Sequence, residues 1–315
     1  MIYEIKKFLK VRNGIMFIML SLLYVNDANA QQDPIYGQYI FNNAIINPAQ
    51  SGVKELNQWG LLRRVQWVGV DGAPTTFSLF LNTALPKKLG LSVGVYNDKI
   101  GPITETSVQA DIASHVRISQ NWYASVGMRF MLSNLSANLQ ELKTVQQSDP
   151  RFANNMNTGF YFNTGIGALL YNRTSFIGAS IPKTFRREIG DGSKIFSHYD
   201  RHYFVYGGHT FGNNKLFSFS PSVLFKYTVD APLQFDLNFL IGFQDRLDFG
   251  PMLRSKDAIG FLVGMQLDKN WYLGYMYEYP INDINLVTQQ THELSLRYFW
   301  RSKYYKRVKS PRYFL

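Results

Sequence analysis

Between positions 105 and 117 the chain places Glu105, Ser107, Gln109, Asp111, His115 and Arg117 at steps of two and four. Carboxylate, hydroxyl, imidazole and guanidinium groups on one side of a strand are ingredients of acid–base chemistry. The spacing argues against that use. At about 3.3 Å per residue, the carboxylates of Glu105 and Asp111 stand roughly 20 Å apart, too far to act on one bond. The expected role is instead a hydrogen-bonded network filling the interior of a closed sheet, shared with Arg129, Asn163, Lys226, Glu278, Glu293 and Arg297.

Other chemistry is sparse. His198 and His202 have a metal-like spacing only on a helix, and they fall in a loop with no third ligand nearby. There is no cysteine, so disulfides, thiolate metal sites and cysteine nucleophiles are excluded. No nucleophile elbow, phosphate-binding loop or dinucleotide fingerprint is present. The expectation is a protein that is not an enzyme and has no metal and no cofactor.

The elements that would position these groups show a period of two. Trp122, Ala124, Val126, Met128, Phe130 and Leu132 fall on one side of a strand, and Tyr123, Ser125, Gly127, Arg129 and Met131 on the other. Leu89, Leu91, Val93 and Val95 oppose Gly90, Ser92, Gly94 and Tyr96. Trp271, Leu273, Tyr275, Tyr277 and Tyr279 oppose Tyr272, Gly274, Met276 and Glu278. Neighbouring side chains of a strand point to opposite faces. Charged residues make up 17% of the chain, below the roughly 25% of soluble domains, while aromatics reach 16%. The strands run nine to fourteen residues, enough to cross a bilayer at a barrel's tilt (about 9–11). Trp67, Trp122, Tyr123, Tyr171, Trp271, Tyr279 and Trp300 lie near strand ends, as interfacial girdles would require. On the outward face, Val126→Arg is expected to be costly, and Ser125→Arg less so where the lumen has space.

The N-terminus carries Lys6, Lys7, Lys10 and Arg12, then a mostly apolar run from Ile15 to Val25, then Ala28-Asn29-Ala30. That is the pattern of a secretory signal peptide with Gln31 as the mature start. No later stretch is apolar enough for a transmembrane helix. The expected division is a signal peptide (1–30), an N-terminal segment without a clean strand (31–55), a barrel (56–300) and a basic aromatic tail (301–315). The net charge of +11 would suit nucleic acid, but export leaves no nucleic acid to meet.

Fourteen strands are expected, near 58–67, 75–85, 88–98, 104–117, 121–134, 159–171, 174–182, 202–211, 215–227, 235–243, 246–254, 257–267, 270–279 and 291–300. Tight connections follow the even-numbered ones. Longer connections follow the odd-numbered ones at 68–74, 99–103, 135–158, 183–201, 228–234 and 280–290, with Ser255-Lys256 as a short exception. The fold class is therefore all-β: a single transmembrane antiparallel β-barrel of about 14 strands, with short periplasmic turns, longer extracellular loops and both barrel ends periplasmic, in the outer membrane of a Gram-negative bacterium.

Three motifs carry a resemblance. The first runs from Asp33-Pro34-Ile35-Tyr36-Gly37-Gln38-Tyr39 to Asn47-Pro48-Ala49-Gln50-Ser51-Gly52. The second is Arg64-Val65-Gln66-Trp67-Val68-Gly69-Val70-Asp71-Gly72-Ala73-Pro74, and the third is Gly90 to Pro102 followed by the strand from Thr106 to His115. Together they resemble the PorP/SprF family of type IX secretion system outer-membrane proteins of Bacteroidota, over essentially the whole mature chain. The chain departs from the family at Asn42-Asn43-Ala44 and in its basic tail. The resemblance implies secretion or surface attachment of a large surface protein, such as a gliding adhesin with a C-terminal sorting domain, by protein–protein docking. It also implies contact with other type IX components and outer-membrane lipid. The alternative is a diffusion channel or small-molecule transporter. Candidate partner-binding residues lie on the two loop tips: Trp67, Gly69, Asp71, Gly72, Pro74, Asp98, Lys99, Gly101 and Pro102. For the tail, the candidate partners are a periplasmic secretion component, lipid headgroups or peptidoglycan.

Overall fold

The computed structural model describes residues 36–53, 56–141, 155–190, 195–212, 216–229, 231–288 and 290–301. The expected signal peptide, tail positions 302–315 and most of the 135–158 connection lie outside them. Sixteen strands follow in order among the described residues. They are β1 (Leu56–Val65), β2 (Thr75–Leu85), β3 (Leu89–Ile100), β4 (Ile103–Arg117), β5 (Tyr123–Ala137), β6 (Met156–Tyr171), β7 (Ser175–Ile181), β8 (Arg187–Gly190), β9 (Ile195–Tyr199), β10 (His202–His209), β11 (Phe217–Thr228), β12 (Gln234–Phe243), β13 (Leu247–Arg254), β14 (Ala258–Gln266), β15 (Trp271–Pro280) and β16 (Thr291–Arg301). Fourteen of them form a closed antiparallel barrel in which β1 pairs with both β2 and β16. β8 and β9 form a separate two-stranded hairpin inside the connection from β7 to β10; the sequence had suggested only a loop there.

The two ends of the barrel differ as expected. At one end the connections are tight. Between β12 and β13 three residues suffice: Gln244 and Asp245 both adopt φ of +52°, which matches the strand twist, and Arg246 N–H donates to Phe243 O at 3.0 Å. Asp268 accepts the N–H groups of Asn270 and Trp271, both at 2.7 Å. Those bonds favour the ionised carboxylate and hold it below its usual range. At the other end lie the long connections, with two short exceptions. One is the Ser255 turn. The other is the β3–β4 tip, where the ladder continues to Ile100 and Ile103 and Gly101, at φ +56°, closes the turn in two residues instead of the expected five.

Burial is inverted relative to a soluble protein. Val108, Ile112, Val126, Met128, Phe130, Leu132, Ile177, Val205, Phe261 and Leu294 are exposed, while Asp111, Arg129, Glu278, Glu293 and Arg297 are buried. An apolar belt of this extent fits hydrocarbon rather than water. Trp59, Trp271, Tyr298 and Trp300 meet at the tight-turn end, with ring centroids 4.9–6.2 Å apart along the cluster, forming part of an interfacial girdle. Tyr123 and Tyr171 do not belong to it. Tyr171 is 1% exposed, shares inward parity with Leu169, and stacks on Tyr123.

The lipid face supplies a first prediction. Val126 is 63% exposed and Ser125 is 2% exposed. Arg on the lipid face costs roughly 2–4 kcal/mol at the bilayer midplane and less toward the interfaces; Val126→Arg, at the fourth residue of β5 from its tight-turn end, should therefore lower the urea midpoint of the heat-modifiable form. The condition for a milder Ser125→Arg, space in the lumen, is not met. The Ser125 hydroxyl donates to the carbonyl of Ala49 at 2.8 Å, so the inner side there is already filled.

Candidate functional site

The material filling the barrel is its own N-terminal segment. Residues 36–53 make three short 3₁₀ turns, Gly37–Phe41, Asn43–Ile45 and Pro48–Gln50. Such short turns leave most backbone groups without partners inside the segment. The barrel wall supplies those partners, and this explains the inward polar residues.

At one level the Glu293 carboxylate accepts the N–H groups of Gly37 (2.6 Å) and Gln38 (2.9 Å). Arg64 bridges Glu293 and Glu278, and Arg254 continues the chain to Glu278 (3.5 Å) and Asp236 (3.2 Å). Further along, Arg129 grips both oxygens of Asp111 at 2.8 Å and donates to the carbonyls of Ala44 and Ile45. Asn47 caps its own turn through Ala49 N–H and donates to the wall carbonyls of Ala168 (3.0 Å) and Ala179 (3.3 Å). Ser180 donates to Ile46 O at 2.6 Å. His115 bonds Ser51 O at 2.8 Å. A carbonyl only accepts, so Nε2 carries the proton, and Nδ1 then accepts from Tyr171, 3.2 Å away.

The rest of the segment is apolar and packs as a core. Tyr39, Ile40, Phe41, Ile46 and Val53 cluster with Leu224, Leu240, Met252, Leu262 and Met276. Thus β11–β14 contribute an apolar layer to the interior through Leu224, Leu240, Met252 and Leu262, while the same strands also turn Lys226, Asp236, Asn238 and Arg254 inward. Arg297 lies between the rings of Phe41 and Tyr272, 4.1 Å from each centroid, a geometry in which buried guanidinium gains from both ring faces. Close approach requires glycine in the wall. A Cβ on Gly90 would overlap Ser51 O, one on Gly127 the backbone of Pro48–Ala49, and one on Gly167 the side chain of Asn47.

The structure brings Asp111, His115, Arg129, Glu278, Glu293 and Arg297 inward against this segment. Glu105 and Gln109 instead line a residual cavity of about 90 Å³ at the long-loop end, with Tyr36, Tyr96, Asp98 and Lys183. Tyr161 donates to Glu105 at 2.6 Å. Arg117 is apart from the rest. It is exposed and closes the tight turn by bonding Ser119 O (3.0 Å) and Gln120 O (2.6 Å). No cluster of three or more metal-ligating side chains occurs among the described residues. The contacts that sequence reasoning missed are those of Gln38, Asn47, Ser125 and Ser180, and the bond that Gln50 donates to the Tyr206 hydroxyl at 2.7 Å.

The two loop tips form one rim. Gly101 N–H donates to Gly72 O at 2.8 Å, and Asn138 N–H to Pro102 O at 3.0 Å. Val68 N–H donates to Gln290 O at 3.0 Å, and Ile281 N–H to Asp257 O at 2.8 Å. Trp67, at φ +50°, occupies a conformation unusual for a bulky residue, and its N–H reaches Thr291 Oγ1 at 3.3 Å. Gly69, Asp71, Gly72 and Lys99 are exposed or open on this rim, Asp98 is half-buried, and Pro74 is buried beneath it.

Among solved structures, the barrel is similar to the Ralstonia pickettii toluene transporter TbuX, with 10% identity, a TM-score of 0.51, and coverage of 88% of this chain and 96% of that one. It is also similar to the CymD monoaromatic hydrocarbon channel, with 9% identity, a TM-score of 0.52, and coverage of 89% and 95%. At these identities the likeness is one of fold. No curated protein matches. The family model described as type IX secretion system membrane protein PorP/SprF matches residues 28–298, and the chain belongs to that family of outer-membrane secretion components.

Proposed function

We propose that this barrel supports secretion or surface attachment of a large exported surface protein by docking it on the loop-side rim, rather than by passing a solute. The observation that carries this reading is the filled lumen. Residues 36–53 occupy it with hydrogen bonds to both its polar and its small wall residues, which leaves the rim as the accessible surface. Polar and aromatic tips held on a rigid barrel suit protein recognition. The partner in this reading is an adhesin with a C-terminal sorting domain, and the tail contributes a periplasmic contact.

The test is capture from mild detergent. Asp71→Arg and Lys99→Glu reverse exposed charges on the joined tips. Each should leave the heat-modifiable barrel intact and reduce co-purified surface protein roughly tenfold, equivalent to about 1.4 kcal/mol. Undiminished capture by both variants removes the rim from the interface. The channel reading takes its support from the transporter and the channel that the barrel is similar to, and it requires the segment to leave the lumen. Solute flux through the unmodified protein in liposomes would favour it.

A further inference from the structure

The N-terminal segment has a direction. Gly37 and Gln38 bond Glu293, the third residue of β16 counted from the long-loop end. Tyr36 packs on Leu62 and Tyr96, which lie three and four residues from the loop ends of β1 and β3. Ala44 and Ile45 then meet Arg129 in the middle of β5. Ala49 meets Ser125, the third residue of β5 from its tight-turn end. Ser51 meets His115, two residues from the tight-turn end of β4. Gly52 N–H donates to Asn82 at 2.7 Å, next to the turn joining β2 and β3. The chain thus passes through the lumen from the loop-side mouth to the turn-side mouth, and only afterwards enters the wall as β1.

We infer that the N-terminus left by export processing stands at the outer, long-loop mouth, beneath the rim formed by 66–74, 101–102 and 281–288. The loop-side end of the lumen segment, at Tyr36, thus opens on the side that an exported partner meets. This rests on the reading above that the long loops face outward, and on processing after Ala30. The reach of the chain decides the side. Residues 31–35 extend at most about 17 Å, whereas the apolar band alone is roughly 25 Å tall, and residues 36–53 already fill the passage back to the turn side.

The chain has no cysteine, so single introduced thiols report without background. Gln32→Cys, Ala73→Cys (loop side) and Lys269→Cys (turn side) would be treated with a membrane-impermeant maleimide, on intact and on permeabilised cells. The expected result is labelling of Cys variants 32 and 73 on intact cells and of 269 only after permeabilisation. If 269 labels on intact cells and 73 does not, the orientation reading fails, and the inference that position 32 sides with 73 is judged by whether those two still label together. Position 32 labelling with 269 overturns the inference, as does no labelling of 32 in either state. An eight-residue epitope placed between Gln32 and Asp33 gives an independent readout if the thiol variant assembles poorly. Antibody binding to intact cells supports the outward terminus, and binding only after permeabilisation overturns it.

Discussion

Arg129→Ala is expected to cost about 3–5 kcal/mol, the usual range for removing one partner of a buried ion pair. Asp111, fully buried, would lose the guanidinium that meets both its oxygens at 2.8 Å. The carbonyls of Ala44 and Ile45 would lose their donor at the same time, and the middle of the segment would detach. Urea unfolding in detergent, followed by tryptophan fluorescence and by the heat-modifiable gel shift, measures the loss. Asp111→Ala combined with Arg129→Ala should cost less than the two single losses added together, because the orphaned carboxyl group disappears. A single-variant loss below about 1 kcal/mol would mean that Arg129 is solvated and does not hold the segment.

Gly127→Leu and Gly167→Leu together are expected to expel the segment. Both new side chains would occupy the space of Pro48–Ala49 and Asn47. Backbone atoms lie in the way at Gly127, so rotamer adjustment alone cannot relieve the clash. Overpacking of this kind costs about 1–3 kcal/mol per site, directed at one element while the strand ladders remain paired. The checks are protease sensitivity of residues 36–53 and ion conductance in planar bilayers. Cleavage of the segment with discrete open-channel steps is the expected outcome. Retained protection and silence would show that the barrel widens around the segment and keeps it.

Much of the wall was legible because alternation survives in the sequence wherever one face meets lipid. Val126, Met128, Phe130 and Leu132 against Ser125, Gly127 and Arg129 determine both register and facing. The filling of the lumen was not legible. Residues 36–53 have no period, since a chain of short 3₁₀ turns surrounded on all sides buries every face. The apolar layer of the interior was also obscured. Leu224, Leu240, Met252 and Leu262 alternate with residues that are equally apolar, so sequence alone does not tell the lipid side from the core side. Tyr171 was misplaced because an aromatic at a strand end looks the same whether it faces an interface or a lumen; parity with Leu169 separates the two. Glu105 and Arg117 share the parity of Asp111 and His115, but they lie toward the strand ends, where one meets a cavity and the other water.

The backbone bonds that link the loops have a mechanical consequence. A tether anchored to a lone hairpin tip would peel that hairpin's ladder one rung at a time. Here Asp257, Ile281, Gln290, Val68, Gly72, Gly101, Pro102 and Asn138 are joined across successive connections. A pull on any one tip is passed sideways from β13 round to β5 and borne in shear by many ladders at once. A load applied to one loop would thus be spread over most of the barrel's circumference.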